Sequence, residues 1–263
     1  MATTQTPPYT IGVLIQPSPQ LLDLSSIDLF GMLSKSYLDT CPLPAPLLAL
    51  AHPNIHIHYI SALGPGGMQK CTADVVMQTT HSFSSEEVKP GKLDVLMVPG
   101  PEPRYVPSEE ERGFIKAHFE KGAVILSVCT GIFAVAYSNI LENQTATGPR
   151  GLLGDLKKKF PKTNWVEKRW VESGKGRIWI SAGITNGHDM VAAYLHSEHA
   201  KSHGVSTQLA DLVQRMADVG DRGQEYGNIG AGEGVWWVWL ILRSLWRGKG
   251  EVVLAVSVGS WDG

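Results

Sequence analysis

A cysteine at the end of a buried apolar segment is the residue best placed for chemistry in this sequence. The segment GAVILSV (122–128) ends directly before Cys129-Thr130-Gly131, where small residues begin a predicted helix. A strand-to-helix turn of this kind raises the side chain above the C-terminal edge of a sheet, where open α/β sheets bind ligands. Because a helix N-terminus favours negative charge, we expect a lowered pKa for the Cys129 thiol and a reactive thiolate.

A structural role is the alternative for any free cysteine, since most of them fill small spaces in a hydrophobic core. The turn that holds Cys129 favours a reactive role there. Cys41 lies in a proline-rich loop and Cys71 follows a turn, so neither has a strand-to-helix setting.

A carboxylate, Asp23, follows the first predicted strand. The segment IGVLI (11–15) predicts a buried strand, and Asp23 follows it near the start of a helix. Asp23 could instead cap that helix, and Asp28, one helical turn later, is a competing carboxylate. The residues alone leave both open.

Apolar strands alternate with helices along the chain. Strands are predicted over residues 11–15, 55–60, 74–80, 93–100, 122–128, near 164–171 and over 177–181. Helices are predicted over about 21–38, 108–121, 131–141, 150–160 and 188–219, with a loop over 41–53. This alternation is typical of an α/β fold with a largely parallel central sheet.

Composition excludes several classes of protein. The 263 residues are 43% hydrophobic and 18% charged with net charge −2, which is globular and gives no electrostatic footprint for nucleic acid. Three cysteines indicate a reducing compartment, and residues 1–10 lack the features of a signal peptide. The apolar run over residues 235–242 is far shorter than the about 20 residues of a membrane span. We expect a cytoplasmic protein.

A glycine-rich linker after Tyr226 divides the chain into an α/β domain, residues 1–226, and a tail, residues 227–263. The tail holds five of the eight tryptophans, and its run VWWVWLILRSLW has no clear amphipathic period. It could pack on the domain, bind a partner, lie at a membrane interface, or be an artefact of gene modelling.

Four segments of the chain resemble the ThiJ/PfpI superfamily of the class I glutamine-amidotransferase-like fold, and within it the isonitrile hydratase-like branch. They are QLLDLSSIDLFG (20–31), LDVLMVPGP (93–101), AVILSVCTGIFAVA (123–136) and ISAGITNGHDMVAAYL (180–195). The resemblance covers roughly residues 10–215. It implies a flavodoxin-like three-layer sandwich with a mostly parallel central sheet, a nucleophile-elbow cysteine, no cofactor and a homodimer.

The resemblance also assigns roles to residues. Cys129 is then the nucleophile, Asp23 the carboxylate that faces its sulfur, and Thr130 the donor of a backbone N–H to an anion site. Asp189 and Gly183 are then structural. The residues expected to bind substrate lie in the two turns or close to them: Gly100, Pro101, Tyr105, Gly131 and Ile132.

Two positions depart from the family pattern. Pro101 stands where many relatives have a second glycine whose N–H stabilises an oxyanion, and proline has no N–H. Pro149 stands where some relatives have a histidine beside the cysteine, which argues against a Cys-His protease or glutaminase.

The resemblance implies a lyase that hydrates a small organic isonitrile to an N-substituted formamide. Two alternatives stay open: a glyoxalase- or deglycase-like enzyme acting on 2-oxoaldehydes, and a non-enzymatic cysteine redox sensor or binding protein. A ligand-sensing transcription factor is disfavoured, because the tail is too short for a helix-turn-helix module.

Histidines are the remaining candidates for chemistry. His196, His199 and His203 would share one face of the predicted long helix, where a solvated polar face is favoured over a metal site. We therefore expect no bound metal. His188 precedes Asp189 and could approach the cysteine.

Overall fold

The computed structural model of the chain describes residues 7–226 and Trp239. Its strands are β1 Tyr9–Leu14, β2 Ile55–Ile60, β3 Met68–Lys70, β4 Val76–Gln78, β5 Val95–Val98, β6 Val124–Val128, β7 Thr145–Ala146, β8 Asn164–Trp165, β9 Trp170–Ser173 and β10 Ile178–Ser181. Its α-helices are α1 Leu21–Leu24, α2 Asp28–Met32, α3 Lys35–Leu38, α4 Ala45–Leu48, α5 Glu109–Glu120, α6 Gly131–Tyr137, α7 Leu153–Lys159, α8 Asn186–Leu195, α9 Glu198–Ser202 and α10 Thr207–Ala217.

A six-stranded sheet forms the centre of the domain, in the order β2-β1-β5-β6-β10-β9. Its pairs are parallel except for β9, which runs antiparallel to β10. Every residue of β1, β5, β6 and β10 is buried, because helices cover both faces of these central strands. The predicted α/β fold with a mostly parallel sheet is confirmed.

Two hydrophobic cores lie on opposite faces of the sheet. Alternate strand residues such as Val13, Met97 and Leu126 face the first core, where α2, α8 and α10 pack. Their neighbours Leu14, Leu96 and Ile125 face the second, where α5, α6 and α7 pack. This arrangement brings the C-terminal ends of β1, β5 and β6 to one edge, where Asp23, Gly100 and Cys129 follow them in the chain.

The single long helix predicted over residues 188–219 is wrong. The chain forms α8, α9 and α10 there, and the side chains of Ser197 and Ser206 cap the second and third of these helices. The three histidines therefore do not share one helical face. They contact different carboxylates and a tyrosine: His196 with Asp211, His199 with Tyr194, and His203 with Asp94.

Other predicted bounds are corrected as well. The helix after Cys129 ends at Tyr137 rather than near residue 141, and α4 lies inside the predicted loop over 41–53. Of the strand predicted over residues 74–80, only β4 forms. It pairs with β3 in a hairpin that the sequence did not indicate. The strand predicted near 164–171 divides into β8 and the start of β9.

Chain contacts divide the molecule into two units, Met1–Glu225 and Tyr226–Gly263. The tryptophan-rich tail predicted over 227–263 lies outside the described residues, apart from Trp239. Within residues 7–226, no helix is long and apolar enough to cross a membrane. The same part of the chain contains no group of three or more His, Cys, Asp or Glu residues arranged to hold a metal ion.

Candidate active site

Cys129 occupies a tight turn between β6 and α6. Its φ of 55° lies in the left-handed region, which is unfavourable for a residue with a Cβ. Its backbone N–H donates to the carbonyl of Ser181 on β10 at 3.2 Å, which holds the turn against the sheet. This is a strained turn between a strand and a helix, the setting expected for a nucleophile elbow, and the nucleophile role of Cys129 stays a prediction.

Gly131 allows α6 to begin directly against the end of β5. A Cβ at this position would collide with the carbonyl oxygen of Val98. A side chain here would push the helix, and with it Cys129, away from the neighbouring strand.

Asp23 is fully buried and lies beside Cys129. Its Oδ2 accepts a hydrogen bond from the backbone N–H of Gly100 at 3.1 Å, and its carboxyl interacts with the thiol of Cys129. Its Oδ1 is buried without a hydrogen-bond partner among the described residues. The competing carboxylate, Asp28, lies exposed on α2. Asp23 is therefore the carboxyl next to the sulfur.

Gly100 and Thr130 complete the surroundings of this pair. A Cβ at position 100 would collide with Asp23 Oδ2 and Thr130 Oγ1, so only glycine lets the turn approach both. The Thr130 hydroxyl donates to the carbonyl of Pro101 at 2.8 Å, which ties the turn after β5 to the turn after β6.

Residues distant in the sequence form hydrogen bonds with the N-terminal end of the helical turn that carries Asp23. Gln20, its N-cap, provides no side-chain cap; its own N–H donates to the carbonyl of Gly100 at 3.1 Å. The N–H of Leu21 donates to Thr72 Oγ1 at 2.9 Å, from the β3–β4 hairpin. Sequence analysis missed Thr72, and no sequence signal links a hairpin residue to a helix about fifty positions earlier.

Burial controls the protonation of the pair. It raises the pKa of Asp23 to about 7, although the Gly100 N–H and the Cys129 side chain act in the opposite direction. Burial, and then the negative charge of Asp23, raise the pKa of the Cys129 thiol to about 12, against the stabilising effect of Thr130. The predicted lowering of the thiol pKa is therefore wrong, because burial and a neighbouring carboxylate outweigh the helix N-terminus.

The pair can move one proton between sulfur and carboxyl. Near neutral pH the thiol is protonated, whereas Asp23 is present in both forms. An ionised Asp23 can accept the thiol proton as the sulfur attacks, and a protonated Asp23 can return it to the product.

The nine histidines have partners elsewhere in the fold. Their contacts, apart from the three given above, are His52 with the His203 carbonyl, His56 with His58, His58 with His81, His118 with the Val88 carbonyl and His188 with Ser25. Among the described residues, Asp23 is the titratable group that interacts with the Cys129 thiol, so it is the one placed to act as a base toward it.

Ile132 and Tyr105, which were predicted to bind substrate, contact other groups. Ile132 is fully buried in the second core, and the Tyr105 hydroxyl donates to Glu111 Oε2 at 2.7 Å. The structure thus brings Asp23, Gly100, Pro101, Cys129 and Thr130 together at one edge of the sheet. Substrate contacts for Ile132 and Tyr105 stay predictions.

Asp189 ties α8 to the segment that follows α10. Its carboxylate pairs with Arg222 at 2.6 Å and accepts from the N–H of Gly220 at 3.3 Å. This is a structural contact of the kind expected for Asp189. Gly183 lies at the beginning of the same connection, close to Asn186.

The sequence matches the model of the DJ-1/PfpI family over residues 32–197, which is more than half of the chain. The matched region includes Cys129 and the strand and helix that flank its turn, whereas Asp23 lies before it. Among curated proteins, none matches the sequence.

Solved structures of the same fold are similar to this chain at low identity. A ThiJ/PfpI family protein from Pseudomonas syringae has a TM-score of 0.63 and 17% identity, over 90% of this chain and 88% of that one. DJ-1beta from Drosophila melanogaster has a TM-score of 0.59 and 14% identity, over 81% of this chain and 99% of that one. An AraC family transcriptional regulator from Pseudomonas putida has a TM-score of 0.61 and 10% identity, over 80% and 100%. At these identities the similarity shows the fold alone.

Proposed function

Because the chain belongs to the DJ-1/PfpI family, we propose that it is a cofactor-independent hydratase in which Cys129 adds water to a small organic isonitrile. The observation that carries this proposal is the contact of a protonated thiol at a strained elbow with a buried carboxyl whose pKa is raised to about 7. Such a pair can supply both a nucleophile and the proton that the product needs.

The first step forms a bond between the sulfur of Cys129 and the terminal carbon of the isonitrile. The thiol proton passes to the ionised Asp23, which delivers it to the same carbon. The product of this step is a thioimidate, R–N=CH–S–Cys129. No proton is lost to solvent, because the carboxyl that receives it is buried next to the sulfur.

The second step adds water to the thioimidate carbon. One proton of the water passes through Asp23 to the nitrogen, which gives R–NH–CH(OH)–S–Cys129. The C–S bond then breaks, the sulfur regains a proton from the hydroxyl through Asp23, and the formamide R–NH–CHO leaves. The unpartnered Oδ1 of Asp23 is a buried acceptor that this water can use.

The turn after β5 favours this chemistry over reactions that form an oxyanion. Its one suitable N–H, from Gly100, is donated to Asp23, and Pro101 has none. Loss of one donor from an oxyanion site costs about 10²–10³ in rate. Isonitrile addition avoids this cost in its first step, because the attacked carbon carries no oxygen.

The charge of the pair favours an uncharged substrate. The groups that shift the two pKa values are Gly100, Thr130 and the pair itself; no lysine, arginine or histidine of the described residues is among them. A carboxylate or phosphate substrate would approach a buried acidic group without a compensating cation, which is unfavourable. An isonitrile is neutral and suits this environment.

Two alternatives use the same pair. A glyoxalase- or deglycase-like reaction would form an oxyanion on the attacked carbonyl group, and the one N–H of the turn after β5, from Gly100, is already donated to Asp23. A redox role would convert the sulfur of Cys129 to a sulfinate that a protonated Asp23 could hold by a hydrogen bond. The resemblance further leads us to propose a cytoplasmic homodimer that needs no cofactor.

The test compares substrates on one preparation of the full chain. An aryl isonitrile and methylglyoxal are added in parallel, and the products are followed by NMR. We expect the N-aryl formamide and no lactate above the protein-free control. Lactate without formamide would replace the proposal with the glyoxalase reaction. Neither product, together with mass increments of oxygen on Cys129 after mild peroxide, would replace it with the redox role.

A further inference from the structure

The helix that carries Asp23 is the first turn of a longer helical segment. α1 has four residues and continues through a 3₁₀ turn, Ser25–Ile27, into α2. A single turn of α-helix has few hydrogen bonds of its own, so contacts at both of its ends fix its position. Its N-terminal end is tied by Gly100 and Thr72. The position of the Asp23 carboxyl therefore also depends on what holds the C-terminal end.

His188 provides that second tie. It lies in the first turn of α8, and its Nε2 is 2.9 Å from the hydroxyl oxygen of Ser25, the C-cap of α1. The Ser25 hydroxyl lies 2.6 Å from the carbonyl oxygen of Leu22, the residue before Asp23. A chain of two hydrogen bonds thus connects α8 to the backbone of the turn that carries the carboxyl.

The available protons decide which atom donates in each of these two hydrogen bonds. A carbonyl only accepts, so the single proton of the Ser25 hydroxyl is donated to Leu22. His188 Nδ1 lies 3.3 Å from the Thr185 carbonyl oxygen, a longer contact than the 2.9 Å between Nε2 and the Ser25 hydroxyl oxygen. We therefore place the imidazole proton on Nε2, from which the Ser25 hydroxyl oxygen accepts. At position 188, alanine has no donor and the N–H of asparagine lies too close to the backbone to reach Ser25. Glutamine carries an N–H at about the same distance from the backbone as Nε2 of histidine.

Close packing next to these two hydrogen bonds fixes the position of the first turn of α8. A Cβ at Gly187 would lie 3.0 Å from Val128 Cγ1, next to Cys129, and 3.4 Å from the hydroxyl of Ser26. The Ser26 hydroxyl in turn lies 3.4 Å from the carbonyl of Asp23. The first turn of α8 therefore contacts both the strand that precedes the cysteine and the turn that carries the carboxyl.

We propose that His188 is a positioning residue that fixes the Asp23 carboxyl beside Cys129 through Ser25. This inference rests on the proposed function only where turnover is concerned, because the geometry of the Asp23–Cys129 pair also governs how the thiol reacts with any small electrophile. Without the His188 chain, α1 loosens at its C-terminal end and water reaches the carboxyl.

The test measures the rate of Cys129 alkylation by iodoacetamide against pH, by mass spectrometry of the Cys129 peptide. In the wild type this rate rises as Asp23 ionises and becomes able to accept the thiol proton. In His188→Ala we expect the midpoint to move to lower pH, by up to about one pH unit, the equivalent of one hydrogen bond. Ser25→Ala should cause a similar shift, and the double variant no larger one.

Two further variants separate positioning from general damage. His188→Gln keeps a donor for Ser25 and should restore the wild-type profile. His196→Ala removes a half-buried histidine at the other end of α8, where it contacts Asp211, and should leave the profile unchanged. Circular dichroism and the melting temperature check that each variant is folded.

The outcomes distinguish this inference from the proposed function. A His188→Ala profile identical to those of the wild type and of His196→Ala would overturn the positioning role, whether or not the isonitrile is hydrated. A shifted profile that His188→Gln restores, in a protein that forms no formamide, would support the positioning role and count against the hydratase alone.

Discussion

Asp23 and Cys129 owe their unusual protonation to the same burial. The carboxyl is fully buried and the thiol nearly so, and burial raises both pKa values; Asp23 raises the pKa of the thiol further, whereas the Cys129 side chain favours the ionised carboxyl. At the residue scale, we therefore propose the pair as the reactive unit, with the thiol as proton donor and the carboxylate as acceptor. A thiolate stabilised by the helix N-terminus alone does not describe it.

Replacing Asp23 tests this assignment at the same scale. Asp23→Asn keeps an oxygen that can accept from Gly100 but cannot take up the thiol proton, so we expect kcat/KM for an aryl isonitrile to fall about 10²–10⁴-fold. In the wild type, activity should rise with pH through about 7, because Asp23 must be ionised to accept the proton. This rise should be absent in Asp23→Asn.

The measurement is initial rate against pH for both proteins, with Asp28→Asn as the matched control on the exposed neighbouring carboxylate. An unchanged profile in Asp23→Asn, or an equal loss in Asp28→Asn, would show that the carboxyl beside the sulfur does not carry the proton.

The sequence predicts part of this site and misses part of it. The strand-to-helix turn at Cys129 is visible as an apolar run followed by small residues, and the structure has a turn between β6 and α6 there. Residue spacing cannot choose between Asp23 and Asp28, because the choice depends on which of them a distant turn at Gly100 covers. The rise in the thiol pKa was missed because it depends on burial and on Asp23, which is distant from Cys129 in the sequence.

At the scale of elements, short segments are positioned by distant ones. α1 depends on the turn after β5, on the β3–β4 hairpin and on α8, none of which is near it in the chain. The longer strands could be predicted because their apolar runs lie within the strands themselves. α5 could be predicted because its capping residue, Ser108, directly precedes it in the sequence. The breaks between α8, α9 and α10 were missed, although Ser197 and Ser206 are N-cap residues that the sequence displays.

A buried histidine on α5 gives a prediction about stability. His118 is fully buried, its Nε2 contacts the Val88 carbonyl at 3.1 Å, and burial lowers its pKa to about 4. The unfolded chain therefore binds a proton at this residue between about pH 6.5 and 4 that the folded protein does not. Its contribution to stability is fully present above that window and is lost as the pH falls through it.

We expect His118→Gln, which can still donate to Val88, to weaken this dependence. The free energy of unfolding should fall less steeply between pH 6.5 and 4 in the variant, by up to about 1.4 kcal/mol per pH unit. Urea unfolding at several pH values measures it, with His56→Gln on the exposed side of β2 as control. Equal slopes in the wild type and His118→Gln would contradict the assignment.

At the scale of the whole molecule, the fold is one that other proteins share. The same architecture is shared with a ThiJ/PfpI protein, with DJ-1beta and with an AraC family regulator, each at 17% identity or less. Fold alone therefore does not select a function. The residues that carry the proposed chemistry lie at the sheet edge: Asp23, Cys129, and a proline at position 101 after Gly100.

The central claim is that Cys129 forms the bond to the substrate, and one comparison tests it most directly. Wild-type protein and Cys129→Ser are mixed with the same aryl isonitrile, and formamide is followed by NMR. Serine keeps the shape of the turn but is a far weaker nucleophile beside a carboxyl, so we expect formamide from the wild type and none above background from the variant. Formamide at the wild-type rate from Cys129→Ser would contradict the account.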